Sequence, residues 1–94
     1  MLKTYFSTQF RKDLNKVRKR GLNTELLDEV ILMLAAGKTL PSKYKDHALK
    51  NSRNYKNVRE CHIQSDWLLV YRIDKDILTL FLMNTGTHSD LFKK

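Results

Sequence analysis

Arg59-Glu60-Cys61-His62-Ile63-Gln64-Ser65-Asp66-Trp67-Leu68-Leu69-Val70-Tyr71 is the stretch that decides the fold. Side-chain polarity alternates from Val58 to Ile63, breaks at Gln-Ser-Asp, and gives way to an apolar run from Trp67 to Ile73. This pattern predicts strand, tight turn, strand. Alternation puts Cys61 and Ile63 on one face of the first strand and Glu60 and His62 on the other. Burying the first pair leaves His62 on an open face. The second strand is nearly all apolar, as expected of a central strand contacted on both faces. The hairpin therefore carries a histidine, an aspartate four residues on, and the only tryptophan.

Two helices are expected ahead of this hairpin. A short first strand at Lys3 to Phe6 leads to Ser7 or Thr8, either of which suits an N-cap. Phe10, Leu14 and Val17 follow at helical spacing, with Gly21 placed to end the helix. Asn23 is the next cap, and Glu25, Asp28 and Glu29 lie near the helix N-terminus, where the macrodipole favours negative charge. Leu26, Leu27, Val30, Ile31 and Leu34 form an apolar stripe ending at Gly37. Pro41 stops further helix. Lys38 to Asn57 has little periodicity and reads as a basic loop across the mouth of a site. Beyond the hairpin, Asp74-Lys75-Asp76 makes a turn and Ile77 to Met83 a last long strand, with Leu78, Leu80 and Leu82 on one face. The tail leaves the sheet at Gly86 and ends in a short anchored segment. The expected architecture is α+β: two N-terminal helices packed on a mostly antiparallel four-stranded sheet.

Ninety-four residues suffice for one small domain, 1–94, and no second core. No apolar run approaches the roughly 20 residues needed to cross a bilayer. The N-terminus lacks the long apolar stretch of a signal peptide, and the single cysteine forms no internal disulfide; together these predict a cytoplasmic protein without a membrane partner. The net charge is +8 and the pI about 9.8. Basic residues concentrate in two runs, from Lys38 to Arg59 and from Arg11 to Arg20. Either run alone reads as a solvated face. Two runs around a histidine-bearing hairpin favour nucleic acid.

Three histidines, His47, His62 and His88, are candidates for proton transfer, because imidazole titrates near neutral pH. Any one alone reads more readily as a satisfied surface or core residue; convergence with Asp66 would change that. Metal ligation is not expected: Cys61 and His62 are strand neighbours pointing to opposite faces, and the spacing fits no zinc signature. No cofactor motif is present, since the glycines at 21, 37 and 86 are far apart. A carboxylate pair, Glu60 with Asp66, would suit a glycosidase, but a charge of +8 matches a neutral sugar poorly. RNA cleavage fits best. It needs a base for the 2'-hydroxyl, cations for the charged phosphorane, and an acid for the leaving 5'-oxygen. Trp67, Tyr44, Tyr55 or Phe92 could stack on an unpaired base.

Four ordered segments now carry a family resemblance: Lys45-Asp46-His47-Ala48-Leu49, Arg59-Glu60-Cys61-His62-Ile63, Asp66-Trp67-Leu68-Leu69-Val70-Tyr71, and Thr85-Gly86-Thr87-His88-Ser89-Asp90-Leu91-Phe92. Over essentially its whole length the chain resembles the YafQ branch of the RelE toxin superfamily. The resemblance implies the toxin of a type II toxin-antitoxin pair, a ribosome-dependent endoribonuclease that cuts mRNA, with a RelE-like fold. It implies His88 as main general acid/base, aided by His47, His62 and Asp66. Trp67, Phe92, Asn84 and Arg59 would position substrate, and Lys43, Lys45, Lys50, Arg53 and Lys56 would hold RNA. It implies a cognate antitoxin, the ribosome and mRNA as partners, and operator DNA only together with the antitoxin.

The chain departs from the family pattern. Asn84 stands where an arginine is common, Ser65 where proline is common, and Asn51 where glycine is usual. Asn84 carries no charge, which motivates an alternative: a catalytically weak toxin-fold protein acting by binding, as operon co-repressor or RNA-binding module.

Overall fold

The structure is a computed structural model and describes residues 1–49 and 57–91. Its strands are β1 (Lys3–Phe6), β2 (His47–Ala48), β3 (Arg59–Gln64), β4 (Trp67–Asp74) and β5 (Thr79–Gly86). Its helices are α1 (Thr8–Lys19), α2 (Thr24–Ala35) and α3 (His88–Leu91), with a 3-10 turn at Ser42–Tyr44.

The five strands make one sheet in the order β1-β5-β4-β3-β2, so the apolar strand is central, as its composition predicts. β2 with β3, β3 with β4 and β4 with β5 are antiparallel, while β1 runs parallel to β5. The expectation of four strands and two helices is corrected, among the described residues, to a five-stranded mixed sheet with three helices. The extra strand is the two-residue β2, too short to leave a period in the sequence. The parallel pairing arises because α1 follows β1 at once: Ser7 N–H donates to Leu82 O and Ser7 Oγ to Met83 O (3.0 Å), tying the helix start to β5.

Both helix starts follow their caps. Ser7 Oγ accepts from Phe10 N–H (3.0 Å) and Asn23 Oδ1 from Glu25 N–H (3.0 Å). Gly21 and Gly37 adopt φ of +78° just past the helix ends. Phe10, Val17, Leu27, Val30 and Leu34 pack with Cys61, Ile63, Trp67, Leu69, Tyr71, Leu80 and Leu82 into the core.

Two expectations for the last strand are corrected. It begins at Thr79, and Leu78 is exposed with φ of +50°, outside the face it was assigned to. Lys3 N–H bonds to Leu78 O, so the turn docks on β1 by its backbone. A bulge also interrupts β5. Val70 opposes Asn84 and Tyr71 opposes Leu82, leaving Met83 as the additional residue. Thr85 is thereby buried.

Candidate active site

The β3–β4 turn and the tail after β5 meet at one corner of the sheet. Asp66 stands at the turn, and His88 opens α3. His88 Nδ1 lies 2.8 Å from Asp66 Oδ1, and the His88 backbone N–H donates to the same oxygen at 3.2 Å. His88 hydrogen bonds hold the Asp66 carboxyl below the usual carboxylate range, so it is ionised at neutral pH. An Nδ1–H given to the carboxylate puts the accepting lone pair on Nε2. Both side chains are more than half exposed.

The three histidines form a row. Ring centroids are 6.3 Å apart for His47 and His62 and 5.9 Å for His62 and His88. His62 faces a depression that it lines with Lys43, Lys45, Gln64 and Ser65. His47 is held at both nitrogens: Nδ1 is 2.7 Å from Lys45 O and Nε2 is 3.2 Å from Glu60 Oε1. Two acceptors face this ring.

The face carrying His62 is less open than alternation alone predicts. Leu68 opposes His62, Val70 opposes Glu60, and Leu68, Val70 and Glu60 are all buried. Glu60 Oε2 has no hydrogen-bond partner. A buried carboxylate with one orphan oxygen beside two histidines is a candidate that sequence reasoning weighed only as a glycosidase acid. The signal was available in its position, two residues before His62 on the same face.

Other candidates are placed elsewhere. Arg59 opposes Tyr71 on the core side and is bound to Asp46, with Nη2 at 2.8 Å and Nε at 3.2 Å from Oδ2. Asp46 also accepts from the Tyr71 hydroxyl at 2.5 Å. Its own hydrogen bond to Asp46 holds the Arg59 guanidinium above its ordinary pKa, and burial pushes the Tyr71 phenol up. Arg59 thus braces the segment that presents His47 and is not among the histidines. Trp67 is buried, and its Nε1–H donates to Thr85 Oγ1 at 2.9 Å, while Thr85 Oγ1 donates to Leu68 O at 2.7 Å. It shapes the floor of the corner. Asn84 turns to α1, where Nδ2 is 3.3 Å from Asp13 Oδ2. Lys50, Arg53, Lys56, Tyr55, Asn51 and Phe92 lie outside the described residues.

Comparison with known proteins follows the same lines. A family model described as the bacterial toxin of a type II toxin-antitoxin system, YafQ, matches residues 2–93. The chain belongs to the YafQ toxin family. The mRNA interferase toxin YafQ of Escherichia coli K12 is 34% identical over 88 residues, covering 93% of this chain and 91% of that protein. A metal-bound toxin from Helicobacter pylori is 47% identical with a TM-score of 0.91, over 98% of this chain and 100% of that one. The YafQ of an E. coli DinJ-YafQ complex is 33% identical with a TM-score of 0.88, over 98% and 99%.

Several residues of this YafQ-family site escaped the sequence reading. Asp90 accepts from Arg20 Nη1 at 2.6 Å and Nη2 at 3.1 Å, and from Thr87 N–H at 3.0 Å. Asp13, buried on α1, accepts from Gln9 Nε2, Asn84 Nδ2 and the Thr85 N–H. Asp13 is the one acid of α1, within an otherwise basic helix, and a charge placed at a position with core spacing was the available signal.

Proposed function

We propose that the chain is an endoribonuclease of the mRNA interferase class, acting at the ribosome, and that the histidine row performs the acid/base chemistry. The observation that carries this reading is the Asp66–His88 pair, 2.8 Å apart, beside His62. The curated relatives bear the name mRNA interferase toxin, which supports the same class.

The reaction follows from the arrangement. RNA cleavage without an external nucleophile moves one proton from the 2'-hydroxyl and one to the 5'-oxygen. His88, oriented by Asp66, exchanges a proton through Nε2. His62 stands one phosphate's width away and serves the other oxygen. The charge that builds on the phosphorane meets Lys43 and Lys45 across the depression. Lys50, Arg53 and Lys56 extend the basic run of the sequence, and Phe92 is a stacking candidate. His88 is exposed and His62 is half-buried at an open depression, which gives the substrate little orientation. The ribosome supplies that orientation by holding mRNA in an extended path.

The H. pylori relative is metal-bound; among the described residues of this chain no three His, Cys, Asp or Glu side chains gather as a ligand set.

The antitoxin partner follows from family membership and charge. E. coli YafQ is found in a complex with DinJ. A surface of +8 suits an acidic or amphipathic segment that folds on binding. Operator DNA is bound only together with that antitoxin. Among the described residues no helix is long and apolar enough to cross a membrane, and the cytoplasm, where ribosomes are, is the expected compartment.

Primer extension on an mRNA in a reconstituted translation mixture, with and without ribosomes, tests the reading. Cuts within codons that require ribosomes and fall at least ~100-fold in His88→Ala are expected, within the usual range for acid/base groups. A His88→Ala protein as active as the parent would refute it. One observation favours the binding-only alternative: the Asn84 amide is engaged by Asp13, so no cation stands at this position. On that reading Asn84→Arg raises cleavage sharply; on ours it changes little.

A further inference from the structure

We propose that Arg20 and Asp90 form a clamp that positions His88, an inference that rests on His88 being the proton carrier. The pair is distinct from the Asp66–His88 hydrogen bond, although Asp90 lies close enough to Asp66 to act on its charge, and it joins residues seventy positions apart, the end of α1 and the tail.

The geometry is that of a designed fixture. α3 has four residues, far too few to be stable as an isolated helix. Three devices hold it. Thr87 and Asp90 form a reciprocal cap: Asp90 N–H donates to Thr87 Oγ1 at 3.2 Å and Thr87 N–H to Asp90 Oδ2 at 3.0 Å. Asp66 takes the His88 backbone N–H. Arg20 grips Asp90 with both guanidinium nitrogens, at 2.6 and 3.1 Å. Gly86 completes the fit. Its φ is +152°, and a Cβ there would lie 2.9 Å from Asp90 Oδ2 and 3.1 Å from Asp90 Cβ. The tail backbone approaches the clamped carboxylate only because residue 86 has no side chain.

Helix dipole alone does not account for Arg20. Lys16, Arg18 and Lys19 already put positive charge in the last turn of α1, and any cation would serve that purpose. What Arg20 adds is a planar fork matched to a carboxylate, which lysine lacks. Arg20→Lys therefore keeps the charge and removes the fork. A rigid clamp acts on the placement of Nε2, and displacement of a reacting group by ~1 Å costs on the order of 100-fold in rate.

The test compares the parent with Arg20→Lys and Asp90→Asn in the ribosome-containing cleavage mixture, together with NMR of the histidine ring signals in the isolated protein. The maximal cleavage rate is expected to fall ~10- to 100-fold in both variants, with the half-saturating ribosome concentration within about twofold. His88 ring signals are expected to move while those of His47 stay in place. Swapping the charges, Arg20→Glu with Asp90→Arg, is expected to recover more of the rate than either single reversal. An unchanged maximal rate overturns the proposal. So does a higher half-saturating concentration at constant rate, which would make Arg20 an RNA contact. So do His88 signals identical to the parent's. His88→Ala is run alongside. If it cleaves like the parent, the catalytic reading fails by itself, and the clamp still stands or falls on the movement of the His88 signals.

Discussion

Replacing Asp13 by alanine is expected to destabilise the protein by ~2–4 kcal/mol, although Asp13 lies on a basic surface helix and touches none of the histidines. Asp13 is 7% exposed, and its carboxylate accepts three hydrogen bonds: from Gln9 Nε2 at 2.8 Å, Asn84 Nδ2 at 3.3 Å and the Thr85 N–H at 3.1 Å. The bulge at Met83 turns the Thr85 N–H toward the helix, and Asp13 is its partner there. Alanine leaves that buried N–H without an acceptor, which costs ~1–3 kcal/mol, and the bond from Asn84 adds to this because its acceptor is charged. The Gln9 bond lies at the surface and contributes little. Domains of this size are stable by roughly 5–14 kcal/mol, so the loss takes a large share. It corresponds to roughly 10–30 °C in Tm. Urea unfolding followed by circular dichroism measures it: the midpoint falls with the slope unchanged. Lys12→Ala, on the exposed face one residue away, is the control and stays within about 0.5 kcal/mol. An Asp13→Ala variant as stable as that control would refute the reasoning, because the buried N–H would then have another partner.

Acid should separate the clamp from the core. Arg20 holds the Asp90 carboxyl well below the usual range, so its stabilisation is present above about pH 4 and is lost as pH falls through the lowered folded value. The stability difference between the parent and Asp90→Asn should therefore be constant from pH 7 to about 4 and shrink below it, read from urea midpoints. A difference that grows on acidification contradicts this. Burial, with Asp46 and Glu60 nearby, pushes the Cys61 thiol up to about 12. At pH 8 the native protein should leave a thiol-disulfide reagent unreacted, with a thiolate fraction on the order of 10⁻⁴, and react once unfolded. Rapid labelling of native protein would mean that β3 opens. Thr85→Val removes the acceptor of Trp67 Nε1–H and the donor to Leu68 O; loss of ~2–4 kcal/mol is expected by thermal melting, together with a shifted Trp67 emission.

Much of this architecture can be read from residue order. Alternation at Cys61 and Ile63 identifies the core face of β3, the apolar run identifies the central strand, and Ser7, Asn23, Gly21 and Gly37 mark the helix ends. What cannot be read is long-range or sub-periodic. Four residues of β1 give no hint of whether they pair parallel or antiparallel; the helix packed behind decides that. One inserted residue, Met83, reverses the face assignment after Leu82, so simple alternation puts Asn84 inward where Thr85 actually goes. The site divides in the same way. Histidine type and spacing point to His62, Asp66 and His88 because the turn and the tail are each local. Arg59 is read from the sequence as a substrate-positioning residue, and its bond to Asp46 is not legible there because the partner is thirteen residues away across a segment with no period. Asp90 escapes because an acid at the end of a tail looks like solvent decoration until Arg20 is seen beside it.

The way the corner is built bears on how it would work. Rigidity is concentrated behind the histidines: Trp67, Thr85 and Asp13 lock the end of β5, Arg59 and Tyr71 lock Asp46 ahead of His47, and Arg20 locks the tail. Openness is concentrated in front, where the Asp66 and His88 side chains are 64% and 55% exposed. Electrostatic groups act weakly while water surrounds them and more strongly once it is excluded. A site with fixed geometry and no walls therefore gains its strength from whatever covers it. On the proposed function, RNA threaded through a ribosome would bring both the substrate and the cover, and an antitoxin segment lying across the same corner would take the place of that cover. Toxicity and its control would then meet at one surface, and variants that loosen the support behind the histidines should lose cleavage before they lose antitoxin binding.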